Sequence, residues 1–401
     1  MVYEATVTAP VNIACIKYWG KRDTALILPI NSSLSVTLDQ TRLRSTTTSR
    51  CDSEFAGPAR LWLNGREEVV IDGGRLWVCI RELKRWRAEM EMKDPRLPKL
   101  SEYSLRIASH NNFPTAAGLA SSASGFAALV FSLAALYSLP QSASQLSMIA
   151  RQGSGSACRS LFGGFVAWRE GTSPDGSDSF AEEVAPSDHW PEMHALICVV
   201  SDAKKGTSSS SGMQRTVETS SLLQHRLTVV PSRMASLETA IKTKDFDTFA
   251  NITMADSNQF HAVCLDTGPP IFYLNDVSRS IIALVEEINR ASIASGRNCV
   301  AAYTFDAGPN AVIYALEENM ATVIAAVTRF FPIGEPFVDP FGMMKQGSVM
   351  PEGFNAGVVV AGGWEKGAVK SLLHTRVGDG PRRLQADESL LGEDGMPRSM
   401  S

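Results

Sequence analysis

Paired cysteine spacing is missing from this chain. Its seven cysteines (15, 51, 79, 158, 198, 264 and 299) form no close couples, and its six histidines do not gather beside them. A zinc site is disfavoured, and the thiols are expected to be reduced, in an intracellular setting. A charge excess is missing too: 38 Lys+Arg face 42 Asp+Glu, a formal net charge of -4. The chain as a whole therefore has no reason to seek nucleic acid or anionic membrane, and any anion site must come from local clustering. No repeat period is visible. The segment 1–10 mixes Val2, Tyr3 and Val7 with polar residues and lacks a signal-peptide core, so a cytoplasmic protein is expected. Charge vanishes altogether between His110 and Arg151, the one run that could suggest a membrane span. Ser121, Ser122, Ser124 and Ser132 dilute it, and Pro140 ends it before a comfortable crossing of about 20 residues. A buried core helix fits better.

The composition that remains is 44% apolar and 20% charged, ordinary for a globular protein of 401 residues. Such a length builds one large or two ordinary domains. Short β-favouring stretches occur at 2–9, 34–38, 43–49, 60–63, 69–71 and 103–109. Between them 73–90 has helical period, with Leu76, Ile80, Leu83 and Trp86 on one face. A helix is expected over 125–139 and another over 142–151. Strands follow at 163–169 and 194–201, helices through much of 208–262, and a helix at 277–293. Strands at 299–305 and 311–316, a helix at 319–331 and a strand at 354–361 close the set. This order indicates α+β in two lobes, 1–188 and 189–376, with 377–401 a disordered tail.

The stretch Pro114 to Ser124 (Pro-Thr-Ala-Ala-Gly-Leu-Ala-Ser-Ser-Ala-Ser) stands out. Gly118 permits a turn, Ser121 or Ser122 can cap the following helix, and a helix start offers free N–H groups to an anion. A simple cap explains the serines equally. No lysine follows the glycine, so this is not the Gly-Lys-Ser/Thr phosphate loop.

Four further polar segments lack helical or strand logic. Asn12 to Asp23 sets Lys17, Lys21 and Arg22 beside Tyr18 and Trp19, suited to a polyanion or to a solvated edge strand. Gly153 to Arg159 mixes serines, glycines and an arginine, either a phosphate and carboxylate grip or a flexible turn. Asp202 to Met213 carries Lys204, Lys205 and four consecutive serines, in most proteins a mobile loop. In Tyr303 to Asn310, Asp306 is either an Asx-turn residue or a strand-end carboxylate facing a substrate hydroxyl.

Together these segments carry a resemblance. The stretch at 114–124 resembles the phosphate loop of the GHMP small-molecule kinase superfamily, Pro-x-x-x-Gly-Leu-x-Ser-Ser-Ala-Ser. The segments 9–23, 153–165 and 303–310 resemble one branch of it, the diphosphomevalonate decarboxylases, over about 9–363. Cys15 departs from the small apolar residue expected there. Where many of the kinases place an aspartate, Arg159 stands here, and the carboxylate of the decarboxylase pattern is Asp306.

The resemblance implies a two-lobed GHMP-kinase-like α+β fold, with a ribosomal-protein-S5-like N-terminal lobe and a ferredoxin-like C-terminal sandwich. It implies an enzyme converting diphosphomevalonate and ATP, with Mg2+, to isopentenyl diphosphate, ADP, phosphate and CO2. Asp306 would orient or deprotonate the 3-hydroxyl, Arg159 would hold the substrate carboxylate, and Lys17 would balance charge around Asp306 and the transferred phosphate. Tyr18, Lys21, Ser154 and Ser156 would receive the diphosphate, with Asn12 in support. Gly118, Ser121 and Ser122 would hold ATP phosphates, Ser122 also nearest the metal, and Ser209 would sit near the γ-phosphate. A homodimer is implied as well. The rival readings are a kinase of the same superfamily that stops at phosphorylation, and a silent homologue that senses ligand.

Overall fold

The computed structural model describes residues 2–113, 121–203, 206–346, 349–359 and 363–398. Six strands make the first sheet, in the order β16 (Arg382–Arg383), β1 (Tyr3–Pro10), β6 (Arg44–Asp52), β9 (Ser104–Asn111), β7 (Arg60–Leu63) and β8 (Arg66–Glu68). All its pairs are antiparallel except β7 with β9. Alternation sends Ala5, Val7 and Ala9 of β1 and Leu105 and Ile107 of β9 to one face. There they meet helices α1 (Arg75–Lys93), α2 (Ser121–Leu136) and α3 (Ala143–Gly153).

Helix α2 is the uncharged run, and it is a core helix. Its serines explain why. The Ser124 hydroxyl lies 2.7 Å from that of Ser45, and the Ser132 hydroxyl lies 2.7 Å from that of Ser49, both partners on β6. Buried hydroxyls are tolerated only when paired, and the Ser/Thr-rich strand β6 supplies the partners. Among the described residues no helix is long and apolar enough to cross a membrane.

The second sheet runs β11 (Ala181–Ala185), β10 (Phe165–Trp168), β5 (Ser33–Thr37), β2 (Asn12–Ile16), and the third runs β13 (Ala302–Phe305), β14 (Ala311–Leu316), β12 (Met193–Val199), β15 (Ser371–Arg376). A small hairpin, β3 (Lys21–Asp23) with β4 (Leu28–Pro29), projects from the second. Helices α4 (Ser209–Thr219), α5 (Ser221–Thr243), α6 (Phe246–Leu265), α7 (Asp276–Ala294) and α8 (Glu317–Phe330) belong to the C-terminal half. One continuous apolar core joins the second and third sheets, from Ile13 and Val36 through Trp190 to Ile313 and Phe331. The two sheets are pinned end to end: the Tyr314 hydroxyl donates to the Ile13 carbonyl (3.2 Å) and the Thr304 hydroxyl to the Ala14 carbonyl (3.3 Å). This contact brings the end of β2 beside the end of β13.

Three expectations need correction. The strand expected at 69–71 lies earlier, at Arg66–Glu68, and Val69 and Ile71 are exposed, with no sheet to cover them. The strand expected at 354–361 is absent over its described part, which holds a short turn of helix, Ala356–Val358; the closing strand is β15. The described part of the expected disordered tail, 377–398, is ordered. Its β16 pairs with β1, Leu391 is fully buried, and the Arg50 guanidinium donates to the Gly392 carbonyl at 2.6 Å. A few apolar anchors on a free sheet edge hold it, which a composition-based reading does not register.

All seven cysteines are unpaired and buried. Burial pushes the Cys15 thiol up to about 12, so the departure noted there concerns packing.

Candidate active site

Strand β2 ends at Ile16, and the chain from Lys17 to Gly20 leaves the sheet. Gly20 has φ +102°, and a Cβ there would collide with Ile30, so the turn into β3 requires glycine. Across from it β13 ends at Phe305, and Asp306 begins a turn that Asn310 holds. The Asn310 Oδ1 accepts from the N–H groups of Val200 (2.7 Å) and Ser201 (2.9 Å). The two strand ends face one another. Lys17 Nζ donates to Asp306 Oδ1 at 2.7 Å, with the lysine side chain 4% exposed and the aspartate 31%. The aspartate is thus the member of the pair that solvent, or a ligand, can reach.

Arg159 lies on the floor of the same cleft and is buried. Its Nε donates to Asn12 Oδ1 (3.2 Å) and Ser35 Oγ (2.9 Å), and its Nη1 to Ser33 Oγ (2.5 Å). Each acceptor is neutral, and no described carboxylate forms an ion pair with the guanidinium. Burial lowers its pKa. Asn12 in turn donates to the Ser156 carbonyl (3.0 Å) and Ser160 Oγ (2.8 Å), fixing the segment that carries Arg159. A buried cation without a protein anion is costly unless a ligand completes it.

The cleft gathers ten of the residues singled out from the sequence: Asn12, Lys17, Tyr18, Lys21, Ser122, Ser154, Ser156, Arg159, Ser209 and Asp306 all line it. Tyr18 packs its ring on Trp168, with centroids 4.7 Å apart, and its buried hydroxyl has no partner among the described residues. Gly155 permits that approach, since a Cβ there would lie 2.6 Å from the Tyr18 ring. The Ser122 and Ser154 hydroxyls are 3.1 Å apart, joining the first turn of α2 to the segment before Arg159. Ser209 opens α4. Ser121 differs: it faces a neighbouring, more apolar hollow with Leu61, Leu63, Leu76 and Phe126, which Ser122 also borders. Gly118 lies outside the described residues, as do the rest of 114–120 and Lys204 and Lys205.

Arg75 was not singled out from the sequence. It opens α1, lines the cleft and donates from Nη2 to Ser210 Oγ at 2.8 Å. Burial, and then the charge of Arg75, lower the Lys21 pKa. Two cations held close enough to repel leave room for an anion of more than one charge. A lone arginine at a helix start carries no sequence signal of this. On β7, Leu63 borders the apolar hollow, while Trp62 is buried beneath the Arg60 guanidinium (4.7 Å to the ring).

Known proteins resemble this chain over nearly its whole length. Residues 9–181 match the diphosphomevalonate decarboxylase-like N-terminal domain, and residues 195–384 match the mevalonate 5-diphosphate decarboxylase C-terminal domain. The diphosphomevalonate decarboxylase of Ganoderma lucidum is 65% identical over 99% of this chain and 100% of its own length. A crystal structure of mevalonate 5-diphosphate decarboxylase superposes with a TM-score of 0.85 at 50% identity, covering 98% of this chain and 99% of the other. A solved structure described as MDDEF in complex with MVAPP, AMPPCP and magnesium is similar with a TM-score of 0.72 at 32% identity, covering 96% and 100%. These likenesses bear out the two-lobed GHMP-kinase-like α+β fold expected from the sequence.

Proposed function

The chain belongs to the diphosphomevalonate decarboxylase family, and from that premise we propose how its own residues carry out the ATP-dependent decarboxylation of diphosphomevalonate to isopentenyl diphosphate. The observation that carries the assignment is the pairing of a reachable carboxylate, Asp306 on Lys17, with a buried guanidinium, Arg159, that forms no ion pair among the described residues. A kinase needs the first. A substrate that also presents a carboxylate needs the second.

Asp306 accepts the hydrogen bond of the 3-hydroxyl and orients its oxygen toward the γ-phosphate of ATP. The ammonium of Lys17 fixes the Asp306 carboxylate through its 2.7 Å bond and faces the charge that develops on the transferred phosphoryl group. Transfer breaks the bond between the γ-phosphorus and the β,γ-bridging oxygen, releasing ADP, while the hydroxyl proton passes to Asp306; the resulting 3-phosphate ester converts a poor leaving group into a good one. The C–O bond then breaks with its electron pair on the departing phosphate, and the bond to the carboxylate breaks to supply the alkene. Arg159 holds that carboxylate in place until CO2 leaves. Lys21, Arg75, Ser154, Ser156 and the free Tyr18 hydroxyl receive the diphosphate, each donating to it.

The hydroxyl of Ser122 and the N–H groups of the first turn of α2 serve the ATP phosphates, with Ser209 on the opposite wall. The apolar hollow beside Ser121 takes the nucleoside. No group of three or more acidic, histidine or cysteine side chains suited to a metal occurs among the described residues. Magnesium fits on those terms, because it binds chiefly through phosphate oxygens with few protein ligands, here Ser122. When bound, it neutralises phosphate charge.

The division at 188/189, the homodimer and the cytoplasmic location belong to the same reading. The first is supported by the separate family matches on either side of it, and sedimentation velocity tests the second. The catalytic assignment is tested by Asp306→Asn. Turnover should fall by about 10³-fold or more while nucleotide affinity and the far-UV CD spectrum stay as in the parent; near-normal turnover overturns the role of Asp306.

A further inference from the structure

Lys17 lies beyond the last ladder bond of β2, so its backbone N–H and C=O must find partners elsewhere. Both do, and the charged partners come from the other half of the chain. The Lys17 N–H donates to Asp256 Oδ2 at 2.8 Å, and its carbonyl accepts from Arg226 Nη2 at 2.9 Å and from Asn31 Nδ2 at 3.0 Å. Asp256, on α6, and Arg226, on α5, are themselves joined by two bonds of 2.8 and 3.0 Å, with both side chains fully buried. Arg233 adds a third cationic donor to Asp256 at 3.1 Å.

The next residue of α6 performs the matching task for the partner strand. Ser257 Oγ accepts from the N–H of Phe305 at 3.1 Å, one residue before Asp306. Adjacent residues of one buried helix face thus hold the backbone on both sides of the Lys17–Asp306 pair. A buried ion pair is a poor choice for stability alone, since apolar packing serves as well. It is a good choice for fixing a direction. Bonds to backbone groups set where the two side chains begin, and the long lysine side chain amplifies any error at its root.

We propose that Asp256 and Ser257, with Arg226 locking Asp256, are positioning residues for the reaction: α6 is the template that sets Lys17 against Asp306. The proposal rests on the reading of Lys17 and Asp306 given above. None of these three residues lines the cleft, so they act through the pair and not on substrate.

The test uses steady-state kinetics on the full chain, with Asp256→Asn, Ser257→Ala, Lys17→Met and the double variant Asp256→Asn/Lys17→Met. Misplacement of reacting groups by about 1 Å costs on the order of 100-fold. The kcat of Asp256→Asn should fall at least about 10-fold and that of Ser257→Ala about 3- to 10-fold. KM for both substrates should stay within about 2-fold, since uniform binding is untouched. In the Lys17→Met background, Asp256→Asn should cost almost nothing more, because an effect exerted through Lys17 cannot be lost twice. Parental kcat in both clamp variants, or full additivity in the double variant, overturns the proposal. Should Asp256→Asn not fold, Ser257→Ala decides alone. Parental turnover in Lys17→Met would overturn the reading of Lys17 and this proposal with it, an outcome distinct from a failure of the clamp.

Discussion

Lys17 and Asp306 stand 289 positions apart in the chain and meet through a bond of 2.7 Å. Neither strand end could place its residue without the other, since β2 and β13 lie in different sheets whose ends are pinned by Tyr314 and Thr304. The pair satisfies its own charge. Arg159, in the same cleft, forms no ion pair among the described residues, and the proposed function rests on that difference between decarboxylation and simple phosphoryl transfer.

Replacing that guanidinium is therefore the informative substitution. Arg159→Gln should lower kcat/KM for diphosphomevalonate by about 10²- to 10³-fold, the scale of one lost donor to a charged group. Affinity for an unreactive ATP analogue, measured by calorimetry, should change less than about 3-fold, because the phosphate wall at Ser122 is untouched. A defect confined to nucleotide binding would contradict the carboxylate role.

Arg75 gives a second, separable effect. With Lys21 and Ser210 it forms the cationic rim of the cleft. Arg75→Gln should raise KM for diphosphomevalonate about 10- to 100-fold, the value of a charge-assisted bond of about 1.5–3 kcal/mol. It should also flatten the dependence of KM on salt. An unchanged KM would remove Arg75 from the diphosphate site.

Of the three buried histidines, His261 and His374 are held furthest below the ordinary imidazole range. His261 lies on the α6 face behind Asp306; burial, then the charge of Lys17, push it down to about 3. Burial, then the neighbouring His194, push His374 down to about 4. In the unfolded chain both take up a proton near pH 6.5. Between about pH 6.5 and pH 4 the unfolded state thus binds more protons than the folded one, and stability falls as the pH drops, by about 1.4 kcal/mol per pH unit for each histidine. Urea midpoints between pH 7 and pH 5 should decline accordingly, and His261→Gln should reduce the slope. A flat profile would show that these rings are not held neutral.

Most of the cleft was legible in the sequence because its chemistry is concentrated in short segments. Asn12 to Lys21, Ser154 to Arg159 and Asp306 each break local pattern with polar groups that neither a strand nor a helix requires. Arg75 was not legible, since it follows a Gly-Gly turn as an ordinary helix-opening residue and acquires meaning only where α1 meets α4. Asp256 and Arg226 were hidden for a similar reason. On a helix each reads as a solvated charge, and only the packing of α5 and α6 against the end of β2 buries them. The fold class followed from the order of strands and helices. Element limits failed where tertiary cover decides them, as at Val69 and Ile71, left exposed, and at Leu391, buried against expectation.

The central claim is that one cleft both phosphorylates and decarboxylates. The direct measurement follows ADP and CO2 together from ATP and diphosphomevalonate labelled at its carboxylate. The two products should appear in a one-to-one ratio at every time point. ADP formed without CO2, with phosphorylated substrate accumulating, would contradict it.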